Sequence, residues 1–277
     1  MRRRMWGLAV LLLLGMVVGG LLLGGPPAWL TGGDPTWARM VDDAKLRVGI
    51  DPSFPPFDQL DDAGAPAGFD VDLAQALAAR WGMRVEIVPI SFDSLLDAVK
   101  ATRVDAVISA MPYDERQTRD VTYSQPYFEA GIRLVVRADS PIRDTAGLAG
   151  RRVAVEWGSA GDMIARRLQR SDEIALEPVL YDTPQDALTA AASGDVDALL
   201  IDQVSLRLAQ GAGAPLVAVG PVLESNPYVI LTPRKAPQLA AAVNEALIAL
   251  SDDGTLAALA DRWFGSAATP AAEEGLP

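Results

Sequence analysis

The chain has 277 residues, 24 Lys+Arg against 36 Asp+Glu, and neither Cys nor His. Those absences exclude disulfides, thiolate nucleophiles, zinc-ribbon sites, a lipid-modified N-terminal cysteine and any Ser-His-Asp triad. A net charge of −12 argues against nucleic acid or an anionic membrane surface as partner, and with half its residues apolar the chain can build two domains or lobes.

Arg2, Arg3 and Arg4 precede an apolar or Gly run from Trp6 to Leu23, which is closed by Gly24, Gly25, Pro26 and Pro27. A charged region followed by an apolar stretch reads as an export signal. The run exceeds the ~7–15 residues of a usual signal core and approaches the ~20 that span a bilayer. Residues 1–33 therefore read as either a cleaved signal peptide or a retained signal-anchor tethered by residues 6–23. Everything after about Asp34 is expected on the extracytoplasmic side.

The body follows in alternating pieces. Leu46–Ile50 reads as a strand. Asp70, a candidate N-cap, precedes Val71, Ala74, Leu77, Ala78 and Trp81 on one helical face. Val85–Ile90 is a predicted strand, Phe92–Lys100 a helix with Leu95, Leu96 and Val99 inward, and Val104–Ser109 a buried strand. A second series begins after Ile132–Arg137, with strand Arg152–Glu156, helix Gly161–Arg170 and strand Glu177–Tyr181. Thr183-Pro184-Gln185-Asp186 is a strong helix start: a hydroxyl cap, Pro at the first helical position and an acid in the first turn. That helix leads to strand Val196–Ile201. The chain continues through Leu216–Val219 and Tyr228–Thr232 to closing helices Pro237–Ser251 and Thr255–Trp263. The final stretch, 266–277 (SAATPAAEEGLP), is small and polar and reads as a disordered tail.

Strands separated by helices of this size indicate α/β units with a mostly parallel sheet. The two series rhyme, because LLDAVKATRVDAVISA and DALTAAASGDVDALLID share a helix, a polar break and a Val-Asp-Ala step into a buried strand. Two similar α/β lobes in one chain would give that pattern. Ligands in open α/β sheets sit beyond the carboxyl ends of the strands. The rule selects Asp51–Phe57, Ser109–Arg116, Glu156–Gly161 and Asp202.

Each place has a structural alternative. Asp51-Pro52-Ser53-Phe54-Pro55-Pro56-Phe57 is a proline-stiffened loop offering an Asp and two aromatic rings to a ligand, unless both Phe residues, Phe57 above all, turn into the core. Arg116 could grip a carboxylate in a bidentate fork, or simply pair with Glu115, Asp120 or another acid. Glu156-Trp157-Gly158-Ser159-Ala160-Gly161 offers amides at a helix start, without the spacing of a phosphate-binding loop. Asp202 is either a counter-ion for an ammonium group or an N-cap for Gln203–Ala209. An Arg, a helix N-terminus and an Asp converging on one cleft would suit a zwitterionic ligand such as an amino acid.

The segment LRVGIDPSFPPFDQLDDAGAPAGFDVDLAQALAARWG resembles the opening of the extracytoplasmic solute-binding proteins, family 3, which are the substrate-binding proteins of polar amino acid ABC transporters. SFDSLLDAV, VDAVISAMPYDER, YSQPYFEAG, GLAGRRVAVEWGS, VDALLIDQ and DGTLAALADRWFG continue the resemblance in order, over about Lys45–Gly265. It implies a two-lobed periplasmic-binding-protein-like fold (type II), with two hinge crossovers and a mixed, mostly parallel sheet in each lobe. Lobe 1 would be 45–127 plus 228–265, and lobe 2 would be 128–227, closing over a ligand by a hinge.

Carried over by position, the resemblance implies that Asp51 and Phe54 line the first-lobe side and that Phe92 covers the apolar part of the ligand. The backbone of Ser109 and Met111 would meet the ammonium or carboxylate, and Arg116, or Arg119 in its place, would clamp the carboxylate. Ser159 and Ala160 would add amides, and Asp202 would pair with the ammonium. Glu156 near the side-chain pocket hints at a cationic or hydrogen-bond-donating ligand. The implied protein is a non-catalytic, monomeric receptor that delivers a small molecule to an ABC permease, with no metal, no cofactor and no nucleic acid. The alternatives are a dehydratase of the cyclohexadienyl or arogenate type on the same fold, or a membrane-tethered sensory domain. Without His, recognition by fixed charges should change little near neutral pH.

Overall fold

The computed structural model describes residues 33–170 and 174–265. The run 6–23 and the tail 266–277 lie outside the described residues, and among those that are described no helix is long and apolar enough to cross a membrane. In chain order the elements are α1 (Pro35–Asp43), β1 (Lys45–Ile50), β2 (Gln59–Leu60), β3 (Pro66–Ala67), α2 (Phe69–Arg80), β4 (Arg84–Pro89), α3 (Phe92–Lys100), β5 (Ala106–Val107), β6 (Val121–Tyr123), β7 (Phe128–Glu129) and β8 (Ile132–Arg137). They continue as β9 (Arg152–Glu156), α4 (Ala160–Arg170), β10 (Glu177–Tyr181), α5 (Pro184–Ser193), β11 (Ala198–Asp202), α6 (Gln203–Gly211), β12 (Leu216–Glu224), β13 (Pro227–Tyr228), β14 (Leu231–Pro233), α7 (Pro237–Asp252) and α8 (Thr255–Phe264).

Two five-stranded sheets organise the molecule, in the orders β4-β1-β5-β14-β6 and β10-β9-β11-β8-β12. Each is mixed. In the first, β4, β1 and β5 run parallel while β14 is antiparallel to β5 and β6. In the second, β10, β9 and β11 run parallel while β8 is antiparallel to both of its neighbours, β11 and β12. The α/β alternation read from the sequence is therefore the observed architecture. Strand β14 comes late in the chain yet returns to the first sheet, so the backbone crosses between the sheets twice, through β7 and through β13, which pair with each other.

The Val-Asp-Ala rhyme has a structural cause. Asp105 accepts the Arg47 amide at 2.8 Å while its own amide donates to the Arg47 carbonyl. Asp197 makes the same exchange with Arg152, also accepting at 2.8 Å. In both sheets this Asp pins the start of the neighbouring parallel strand. Asp105 is fully desolvated, so its charge is balanced by Arg39 and Arg47.

The crossovers are tied by Glu129. Its Oε1 accepts the amides of Gly131 and Asn226, both at 2.7 Å, and its Oε2 accepts the Ser225 hydroxyl at 2.6 Å. Gly131 leaves no room for a side chain, since a Cβ there would lie 2.1 Å from the Glu224 carbonyl oxygen.

Two local expectations are corrected. Asp70 is not an N-cap: α2 begins one residue earlier, after Gly68 at φ 140°, and the Asp70 side chain is buried. Helix α1 lies ahead of the expected body, capped by Asp34, which accepts the amides of Thr36 and Trp37 and also that of Leu239 in α7.

Candidate functional site

The carboxyl end of the first sheet opens into a cavity of about 340 Å³. Asp51, at the end of β1, lines it and also fixes its wall: Asp51 Oδ2 accepts the Phe92 amide at 2.7 Å, capping α3, while Ser91, in the N-cap position, makes no such bond. That bond sets Phe92 at the rim with 44% of its surface exposed. The proline-rich loop supplies a second exposed ring. Phe54 and Phe57 stack with centroids 5.7 Å apart, and their fates differ. Phe57 is buried against Phe69, Phe128, Tyr228 and Phe264, whereas Phe54 remains 45% exposed toward the cavity. An Asp sharing a wall with two exposed aromatic rings suits a cationic group, and among the described residues no Lys or Arg lines this cavity.

Ser109 forms the floor. Its hydroxyl donates to Asp58 Oδ2 at 2.7 Å and accepts the Asp51 amide at 2.9 Å. Beside it Ala110 adopts a left-handed φ of 42°, and its amide donates to Asp70 Oδ2 at 2.5 Å. The Met111 carbonyl is taken by the Val229 amide, and the Met111 side chain packs against the small cluster around α3. Pro112, Ser53, Asn226 and Tyr228 complete the lining. Ser53 and Pro112 fall within segments that the strand-end rule selected, whereas Asn226 and Tyr228 were not selected. Asn226 and Tyr228 come from the second crossover, which no local pattern joins to the first sheet.

A second cluster lies at the carboxyl end of the other sheet, around a space of about 40 Å³ lined by Glu156, Ser159 and Asp202. Ser159 Oγ accepts the Asp162 amide at 3.2 Å, and Asp162 in turn accepts the Gly158 amide and holds Arg166. Ala160 is the first residue of α4, next to Gly161, whose missing side chain lets the helix touch the Leu200 carbonyl. Asp202 caps α6, accepting the Ser205 amide at 2.8 Å and the Ser205 hydroxyl at 2.7 Å. The Tyr228 phenol is pushed up to about 12 by burial, then by the charges of Asp202 and Asp70.

Arg116 stands apart from both clusters. Its guanidinium holds Asp114 in a fork at 2.9 and 3.0 Å, and 87% of the side chain is exposed. Asp114 is held below the usual carboxylate range by that bond. Arg119 is exposed as well and lines neither space. A larger groove of about 690 Å³ lies between α5 and α6, but no charged side chain lines it, so it offers a zwitterion nothing to recognise.

Beneath the floor, Asp58 and Asp70 are fully buried. Burial first, then the Asp70 charge, raises the Asp58 carboxyl to about 9. Burial raises Asp70 to about 7, against the opposing pull of the Ala110 amide and the Tyr127 hydroxyl. Among the described residues no group of three or more Asp or Glu side chains could hold a metal ion.

The profile of the bacterial extracellular solute-binding proteins, family 3, matches residues 46–266. The chain is 31% identical over 239 residues to an L-arginine-binding protein of Pseudomonas aeruginosa, covering 83% of this chain and 90% of that one. To an L-cystine-binding protein of Escherichia coli it is 27% identical over 234 residues, covering 83% and 86%. The L-cystine solute receptor of Neisseria gonorrhoeae, solved in its unliganded open conformation, matches with a TM-score of 0.72 at 25% identity, over 83% of this chain and 97% of that one.

Proposed function

The chain belongs to family 3 of the bacterial extracellular solute-binding proteins, and on that premise we propose that it is the extracytoplasmic receptor of an ABC importer, capturing an amino acid by hinge closure. The observation that carries this reading is the cavity at the end of the first sheet, whose wall Asp51 shares with the part-exposed rings of Phe54 and Phe92. An ammonium or guanidinium group would be held by Asp51 and the rings. The Ser109 and Met111 backbone would orient it, and the carboxylate would meet the start of α4 at Ser159 and Ala160 when the halves 45–127 plus 228–265 and 128–227 close. Asp202 would face the ammonium with lone pairs left over from its capping bonds. Arg116 would serve as clamp only by leaving Asp114, and Arg119 is the alternative. Asp51, Glu156 and Asp202 together favour a cationic side chain. The body works outside the cytoplasmic membrane, with residues 6–23 either removed or kept as a tether.

A thermal-shift panel of L-arginine, L-lysine, L-histidine, L-glutamine and L-cystine tests the reading. Solute at about 100 times its Kd adds about 2.7 kcal/mol, a rise on the order of 5–10 °C in Tm for a body of this size. No shift with any of them would remove the proposed function. As a receptor and not an enzyme, the protein should leave a prephenate-like acid unchanged on prolonged incubation. Conversion of that acid would reassign it.

A further inference from the structure

Two carboxyl groups under the cavity are not needed to hold a solute. Asp58 ends the proline-rich loop and Asp70 sits in the first turn of α2, and neither reaches solvent. Other buried acids here are balanced by cations: Asp105 by Arg39 and Arg47, Asp162 by Arg166. Among the described residues Asp58 and Asp70 have no Lys or Arg partner, and their donors are neutral. Ser109 Oγ serves Asp58, while the Ala110 amide and Tyr127 hydroxyl, at 2.5 and 3.1 Å, serve Asp70.

The second oxygen of each, Asp58 Oδ1 and Asp70 Oδ1, is buried without a donor, and the two carboxyl groups are held by consecutive residues, Asp58 by the Ser109 hydroxyl and Asp70 by the Ala110 amide. Two neighbouring buried carboxylates resist ionising together unless an opposing charge is supplied, and a proton held by either one gives the pair the donor it lacks. The groups facing the pair do not supply an opposing charge: they are Asp51 from the end of β1, Tyr127 before β7 and Tyr228 in β13.

We propose that Asp58 and Asp70 jointly bind one exchangeable proton beneath the cavity floor, and that a cationic solute group seated on Asp51 expels it, coupling capture to proton release. Ser109 joins the two levels, since one hydroxyl contacts both the Asp51 amide and the Asp58 carboxylate. A positive charge above the floor favours the doubly ionised pair, so the carboxylic O–H gives its proton to the buffer. Affinity then rises with pH across the range in which the pair titrates. The coupling rests on the proposed function; the proton itself does not.

The absence of His and Cys makes the proton countable. Apart from the terminal amine, no ordinary side chain of this composition titrates between about pH 5 and 9. Potentiometric titration of the full chain without solute should show the folded protein binding about one proton more at pH 7 than the same chain in urea. Asp58→Asn and Asp70→Asn should each change that excess, and wild type alone decides the matter if a variant fails to fold. Superimposable folded and unfolded curves would overturn the proton site. Titration calorimetry with L-arginine at pH 7.5, in buffers of different ionisation enthalpy, should show buffer-dependent heat for wild type and buffer-independent heat for Asp58→Asn. Equal heats in all buffers for wild type would overturn the coupling while leaving binding intact. No heat at all would remove the coupling together with the proposed arginine-type ligand, with the solute-free titration still deciding the proton.

Discussion

A carboxylate buried without a cation destabilises the fold in its charged form, and Asp58 and Asp70 therefore give folding a pH signature. Both are raised above their ordinary value of 3.8, Asp58 to about 9. Below pH 3.8 the pair is protonated in folded and unfolded chains alike and costs nothing by this route. As pH climbs through that value toward 9, the unfolded chain ionises first, so the folded state loses stability with rising pH. Asp58→Asn keeps an acceptor for Ser109 and adds a donor for Asp70. Its urea midpoint should rise relative to wild type between pH 5 and 8.5, by on the order of 1–2 kcal/mol at the alkaline end. A pH-independent difference would contradict the assignment.

None of this was legible at the residue scale. Asp70 has the spacing of a cap, and only the backbone turn at Gly68 shows that it points inward. Asp58 is one polar residue in a polar loop. By contrast Asp51, Phe54 and Ser109 could be selected because strand ends are places the fold itself singles out. The expectation that a His-free protein is insensitive near neutral pH rests on residue types alone and takes no account of such a pair, because a buried acid pair is made by tertiary contact.

At the scale of elements, short-range chemistry was readable and long-range pairing was not. Thr183 caps α5 through the Asp186 amide, as the Thr-Pro-Gln-Asp run requires, and α3 occupies its predicted residues. Helix α1 carries an equally good signal in Asp34-Pro35, but that signal lies next to the apolar N-terminal run and outside the expected body. Arg116 shows the limit of motif reading, because its spacing fits a clamp and a local ion pair equally, and in this structure its fork is filled by Asp114. The crossovers are the least local elements of all. Gly131 lies where β7 leads into β8 and touches the other crossover, so Gly131→Ala must push the Glu224 carbonyl aside. We expect a loss of about 1–3 kcal/mol in chemical denaturation from that overpacking. An unchanged midpoint would show that the two crossovers can separate at no cost.

For the whole molecule, the sequence alternation was enough for two α/β sheets, and the repeated Val-Asp-Ala step was enough for their kinship. The return of β14 to the first sheet has no local signature, yet it creates the second crossover and brings Asn226 and Tyr228 to the cavity. The candidate ligand groups fall into two clusters, one at the carboxyl end of each sheet. A receptor that closes on its solute would use them together. Isothermal titration of the full chain with L-arginine, L-histidine, L-glutamine and L-cystine measures this most directly. The account predicts saturable binding of one solute per chain for at least one of them, weakened at least about tenfold (about 1.4 kcal/mol) by Asp51→Ala. Absence of binding across the series, or an Asp51→Ala variant that binds as tightly as wild type, would contradict it.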